Sequence, residues 1–186
     1  MFRILIVLLS SCLTTSVLAD GMSYGQTHYK VRGADEYCAN YQGQCPVGLT
    51  GRDYALLSEI RGLLPDINSS VNFQIKYELK EVYSWNVLPV LSSPGPKQLG
   101  VCNEYAVTKK ARLIAAGIPA KALRLAFVMT ENKVGHLVLV VVLKGRPNLV
   151  LDNRLPYPTE YYKLPYRWVS WQTAEDPRKW VSVDFQ

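Results

Sequence analysis

The residues of this chain that could do chemistry are few: one cysteine without an evident partner, two histidines, and an aspartate at the end of an apolar run. The cysteine is Cys102, in QLGVCNEYAVTKKARLIAAG, residues 98 to 117. It follows a glycine-containing approach and opens an amphipathic stretch, which puts its thiol at a helix N-terminus. Unpaired backbone N–H groups and a partial positive charge collect there. They stabilise a thiolate and turn a thiol into a nucleophile. The plainer alternative is a small, buried apolar residue, a common fate for cysteine.

The other cysteines account for themselves. Cys12 sits in the N-terminal leader. Cys38 and Cys45, in EYCANYQGQCPVG, are seven apart with Gly and Pro nearby, which predicts a short disulfide loop in an oxidising compartment. Too few ligands surround them for a metal.

A thiol nucleophile needs a base within hydrogen-bond reach and a third group to orient that base. His28, beside Tyr29 and Lys30 in a polar lead-in, is the weaker candidate. His136 follows Gly135 and begins the apolar run HLVLVVVL, where a polar ring can face a cleft at the end of a sheet. Asp152 ends the next run, LVLD, a costly place for a carboxylate without a partner. A hairpin turning through Lys144-Gly145-Arg146 would pair Val138 with Asp152. His136 and Asp152 then become diagonal neighbours on one face. A slip of one residue would separate them.

The elements that must position these groups follow from periodicity. Residues 20 to 50 read as an irregular, disulfide-pinned lead-in. Thr50 and Asp53 suggest a capping box before a helix whose apolar face is Tyr54, Leu57, Ile60 and Leu64, with Pro65 ending it. From Val71 to Leu79 the pattern fits a strand and a helix equally. Residues 91 to 100 are a loop by composition. A helix over 103–116 presents Ala, Leu and Ile to one side and Lys109 and Lys110 outward, and ends at Gly117 and Pro119. Strands follow at 121–129, 136–143 and 149–153. The Trp- and Tyr-rich tail is expected to pack back on the domain. Helices first and an antiparallel meander after them predict an α+β fold.

The ends and the composition limit the setting. Residues 1–19 carry Arg3, an apolar run and the exit Val17-Leu18-Ala19, which predicts a secretory signal peptide cut before Asp20. A lipid attachment at Cys12, through LSSC, is the rival reading. Residues 20–186 are then expected to form a single domain, exported and not membrane-spanning. The chain holds 21 basic and 15 acidic residues; without Arg3 the mature charge is +5. No dense basic stripe with interleaved aromatics is present, so nucleic acid is not expected as a partner.

The segments GVCNEYAVTKKARLIAAGIP, LRLAFVM, GHLVLVV and LVLDN, in that order, resemble the bacterial transglutaminase-like cysteine proteinases. VNFQIKYELKEVYSWNVLP and WQTAEDPRKW add to the likeness, which covers most of the mature chain. The resemblance implies a papain-like fold and a Cys–His–Asp triad, here Cys102 as nucleophile, His136 as base and acid, and Asp152 as orienting carboxylate. It implies an oxyanion held by the Cys102 N–H and an upstream donor, for which Gln98 and Trp85 are the candidates. It also favours helix after Val71. LapG-type members of the family are periplasmic, cut a large adhesin, and bind calcium through acidic residues flanking the cysteine. The flanks here are Val101, Asn103 and Glu104, so Glu104 is the one remaining calcium candidate and no cofactor is expected to be required.

The expected function is therefore a periplasmic or secreted, monomeric cysteine endopeptidase acting on an envelope protein through a thioester. Acyl transfer to an amine by the same triad, and a catalytically silent binding module, are the alternatives.

Overall fold

A computed structural model describes residues 22–48, 50–79, 85–89 and 96–185. The expected signal peptide, Cys12 and residues 91–95 of the expected loop lie outside the described residues.

The lead-in is more regular than its composition suggests. Strand β1 (Met22–Tyr29) is followed by helix α1 (Ala34–Asn40), and Cys38 at the end of α1 is bonded to Cys45, with a Cα–Cα separation of 5.4 Å. The helix expected from Tyr54 to Leu64 forms as two pieces, α2 (Leu57–Ile60) and α3 (Leu63–Gln74). Pro65 does not end it. Proline lies in the first turn of α3, where its missing N–H would have had no helical partner. The cap also differs: the Leu56 N–H donates to Glu59 Oε2 at 2.9 Å, while Asp53 faces Arg124 at 3.7 Å.

The ambiguous stretch after Val71 is both things in turn. It is helix to Gln74 and then strand β2 (Ile75–Tyr77), so the helix favoured by the resemblance covers only its first part. Residues 98–100, expected as loop, form β3 (Gln98–Gly100), which pairs in parallel with β2. Gly100 allows a close approach at this join. A Cβ there would lie 3.0 Å from both Glu104 Cβ and Ile75 Cγ2.

Next come α4 (Cys102–Ala115) and the strands β4 (Leu123–Met129), β5 (Gly135–Val141), β6 (Leu149–Leu151), β7 (Thr159–Glu160), β8 (Arg167–Gln172) and β9 (Trp180–Phe185). Together with β1 they form a seven-stranded sheet in the order β1-β9-β8-β4-β5-β6-β7, antiparallel throughout. The tail thus does more than pack back: β8 and β9 join β4 to β1. Both faces of the central strands are covered, which explains their nearly unbroken apolar runs. One face buries Leu125, Leu139 and Leu151 with Val107 and Leu113 of α4; the other buries Val138, Val140, Val150, Trp168 and Trp171. The β5–β6 hairpin has the register expected from its turn, Leu139 opposite Leu151 and Val141 opposite Leu149. Asp152 therefore follows directly on β6, on the face that carries His136.

Lys109 and Lys110 do not point outward. Both are fully buried, because α4 is an inner helix packed between α3 and the sheet. Lys110 Nζ donates to Gln172 Oε1 at 3.0 Å, whereas Lys109 Nζ has no hydrogen-bond partner among the described residues. Burial brings both pKa values down to about 7; Arg124 adds to the effect at Lys110, and Asp152 opposes it at Lys109. Between about pH 7 and the unfolded value of 10.5, the unfolded chain holds protons that the fold has released. Each lysine thus makes stability fall as pH falls through that window. Lys110→Met should fold and should flatten this dependence in thermal melts across that range. Gln172 Oε1 would still accept from the Leu125 N–H. An unchanged slope would show that Lys110 is charged in the fold.

Candidate active site

Cys102 is the first residue of α4 and is half-buried. The turn beneath it is closed by Glu104, whose Oε2 accepts the Val101 N–H at 2.8 Å. This frees the start of the helix for the thiol, which contacts Asn103 Oδ1 at 3.6 Å. Cys102 opens into a cleft of about 610 Å³, and His136, Trp85, Asn103 and Phe127 line the same cleft.

His136 is the second residue of β5 and is buried, 6% exposed. Its Nε2 lies 2.8 Å from Asp152 Oδ1, which leaves Nδ1 as the nitrogen available to the sulfur. Asp152 is fully engaged: Oδ1 also accepts the Arg154 N–H at 2.9 Å, and Oδ2 accepts the Tyr166 hydroxyl at 2.6 Å. Tyr166 in addition sets its ring edge-on to the imidazole, with centroids 6.0 Å apart. A buried carboxylate with three donors is held in one orientation and holds the imidazole in turn.

The model of the bacterial transglutaminase-like cysteine proteinase family matches residues 24–186. The chain belongs to that family. Among solved structures it is similar to calcium-bound LapG of Legionella pneumophila, with 22% identity, a TM-score of 0.49, and coverage of 63% of this chain and 66% of that one. EGTA-treated LapG gives 21% identity, the same TM-score, and 63% and 64% coverage. These likenesses span just under two thirds of the LapG chain. No curated protein matches the sequence.

In this transglutaminase-like cysteine proteinase the electrostatics favour a charged imidazole beside a charged carboxylate. Burial works against a charged His136 ring. The hydrogen bond and charge of Asp152, joined by the neighbouring Cys102 sulfur, outweigh it and raise the ring's pKa to about 9. Burial would likewise raise Asp152, but His136, Tyr166 and the Arg154 N–H hold it below the ordinary carboxylate range. The Tyr166 hydroxyl is pushed well above the usual phenol value, by burial first and by Asp152 second, so it remains a donor.

Several positions were not legible as site residues. Nothing in LPYRW marks Tyr166. On α3, Asn72 Nδ2 donates to the carbonyls of Asp152 and Leu155 at 3.1 and 3.0 Å, and Asn68 Nδ2 donates to Leu155 and Pro156. The two asparagines clamp the loop that carries Asp152. Their signal was present as amides four apart on a buried helical face. Of the two proposed oxyanion donors, Trp85 lines the cleft, its indole edge against Gly33, while Gln98 gives its amide to Pro89 O at 2.8 Å and is not part of the lining. His28 lies on β1 opposite Val181.

Tyr166→Phe should keep the packing against His136 and lose only the hydroxyl. A hydrogen bond to a charged group of this kind corresponds to a rate loss of about tenfold or more. The loss is expected in kcat with KM unchanged; a change confined to KM would argue against an orienting role.

The described residues flanking Cys102 do not fit a calcium ion. The Glu104 carboxylate is fully buried and closes the helix turn, the Asp152 oxygens are taken by three donors, and Val101 offers no side-chain oxygen. Among the described residues no three His, Cys, Asp or Glu side chains cluster to hold a metal. A chelator should therefore leave the melting temperature and the rate of Cys102 alkylation unchanged. A clear drop in either would show a site built from other oxygens.

Proposed function

We propose that this chain is an exported cysteine endopeptidase that cuts a protein of the cell envelope, with Cys102 as nucleophile, His136 as acid and base, and Asp152 as the group that orients and charges the imidazole. The observation that carries this reading is the Tyr166–Asp152–His136 chain of hydrogen bonds ending in the cleft that Cys102 opens into.

The chemistry follows from the geometry. The sulfur, as thiolate, attacks the scissile carbonyl carbon. The oxyanion that forms is met by the Cys102 N–H at the head of α4, with Trp85 as the side-chain candidate beside it. His136 gives its proton to the departing amine, leaving a thioester. It then takes a proton from water as that water attacks the thioester, and the acid product and free thiol are released. Asp152 favours the charged ring whenever it holds the proton and keeps the imidazole aimed through both halves.

Export is supported by the leader-like residues 1–19 and by the Cys38–Cys45 disulfide, a bond suited to an oxidising compartment. No described helix is long and apolar enough to cross a membrane.

The test is direct. Purified protein is incubated with an envelope fraction, and new peptide N-termini are read by mass spectrometry, with Cys102→Ala as the control. Termini that appear only with the wild type name the substrate. If none appear, and iodoacetamide does not label Cys102 in the folded protein, the reading is wrong.

A further inference from the structure

The cleft has a charge pattern of its own. Two exposed cations, Lys30 and Arg32, line it, and no aspartate or glutamate does so among the described residues. A neighbouring hollow of about 280 Å³ shares Tyr29, Lys30 and Val31 with the cleft and adds Arg178, Lys179 and a single carboxylate, Asp35. Lys30 thus stands on a ridge between two hollows with cations on both sides. The Arg178 charge is partly met by Asp176 at 2.8 Å, and Arg32 is engaged within the fold as well, so Lys30 is the centre of this pattern. Large exposed apolar side chains also line it: Tyr77 is 52%, Leu79 80% and Val134 60% exposed. An apolar lip beside a cationic wall suits a chain segment that brings both kinds of side chain to the cleft.

We infer that the cleft selects an extended peptide carrying a carboxylate side chain within a few residues of the scissile bond, held at Lys30, with an apolar neighbour against Tyr77, Leu79 and Val134. The inference rests on the protease reading for the bond that is cut, but the binding preference can be measured without turnover. Opposite charge across a solvent-exposed contact gives selectivity and faster encounter more than raw affinity, and salt weakens both.

The experiment uses fluorescent peptides that share one apolar core and carry Asp, Ala or Lys at each flanking position in turn. Binding to the Cys102→Ala protein is read by anisotropy, and cleavage by the wild type is read as kcat/KM. At one position Asp should bind about fivefold to tenfold tighter than Lys, within the range of one or two exposed ion pairs. Adding salt should shrink the difference, and Lys30→Glu should erase or reverse it, with melting temperature confirming that the variant is folded. Equal binding of Asp and Lys peptides at every position, no binding of any peptide, or a preference that survives Lys30→Glu overturns the inference. A preference seen in binding without cleavage by the wild type keeps the inference and counts against the protease reading. Binding of a polyanion such as heparin in place of every peptide would identify the surface as a site for anionic polymer, and the inference would fall.

Discussion

Cys102→Ala should lose proteolysis by at least about ten-thousand-fold in kcat, the scale on which removal of a nucleophile acts, while melting at the temperature of the wild type or slightly above. The reason for the first effect is that Cys102 is the one thiol among the described residues of the cleft: Ser170, the serine in the same lining, is 1% exposed, and the Tyr77 phenol is raised further by burial and by Cys102. The reason for the second is local. Glu104 caps the backbone at Val101, not at the thiol, and alanine is a good residue for the first turn of a helix. Enzyme assay and thermal melt on the same preparation check both halves. Residual turnover within tenfold of the wild type would place the nucleophile elsewhere.

Asp152 should separate charge from shape. Asparagine at this position can still accept from His136 and from the Arg154 N–H through one oxygen, and its NH2 can meet the Tyr166 oxygen. What it removes is the charge that raises His136 to about 9. Asp152→Asn should therefore cost roughly a hundredfold in kcat/KM, between the loss of a single charged hydrogen bond and the loss of a whole triad member. The alkaline limb of the pH profile should move from about 9 toward 6.5. Asp152→Ala, which also leaves the buried imidazole and Tyr166 without an acceptor, should cost more in rate and about 3–5 kcal/mol in stability, as expected for a broken buried pair.

The same substitution tests the linkage. His136 has a folded pKa above its unfolded value, so its contribution to stability is complete below about pH 6.5 and is lost as pH rises through about 9. This slope is opposite to that of Lys109 and Lys110, and melts of Asp152→Asn should lack it. A variant that kept both the alkaline limb and the slope would mean that Asp152 does not set the charge of the ring.

Part of this protein could be read from local pattern alone. The helix beginning at Cys102 is stated by an apolar stripe and closed by Gly117, which takes φ 92. The pairing of Cys38 with Cys45 followed from their spacing. The juxtaposition of His136 and Asp152 followed from the parity of one hairpin, because the turn at Gly145 fixes which residues share a face. These are short-range matters, governed by periods of 3.6 and 2 and by the few conformations a tight turn allows.

What only the tertiary structure decided depends on elements far apart in the chain. Lys109 and Lys110 look like an exposed face until α3 and the sheet enclose α4 from both sides. Residues 71–77 satisfy both periods until pairing with β3 draws Ile75 into a strand. Tyr166 reaches Asp152, and Asn68 and Asn72 reach the loop behind it, across 14 residues in the first case and 80 or more in the others. Local patterning specifies which face of an element is buried; it carries no record of which distant donor will arrive to satisfy a buried carboxylate, because that is settled by packing once the sheet has closed over the helix.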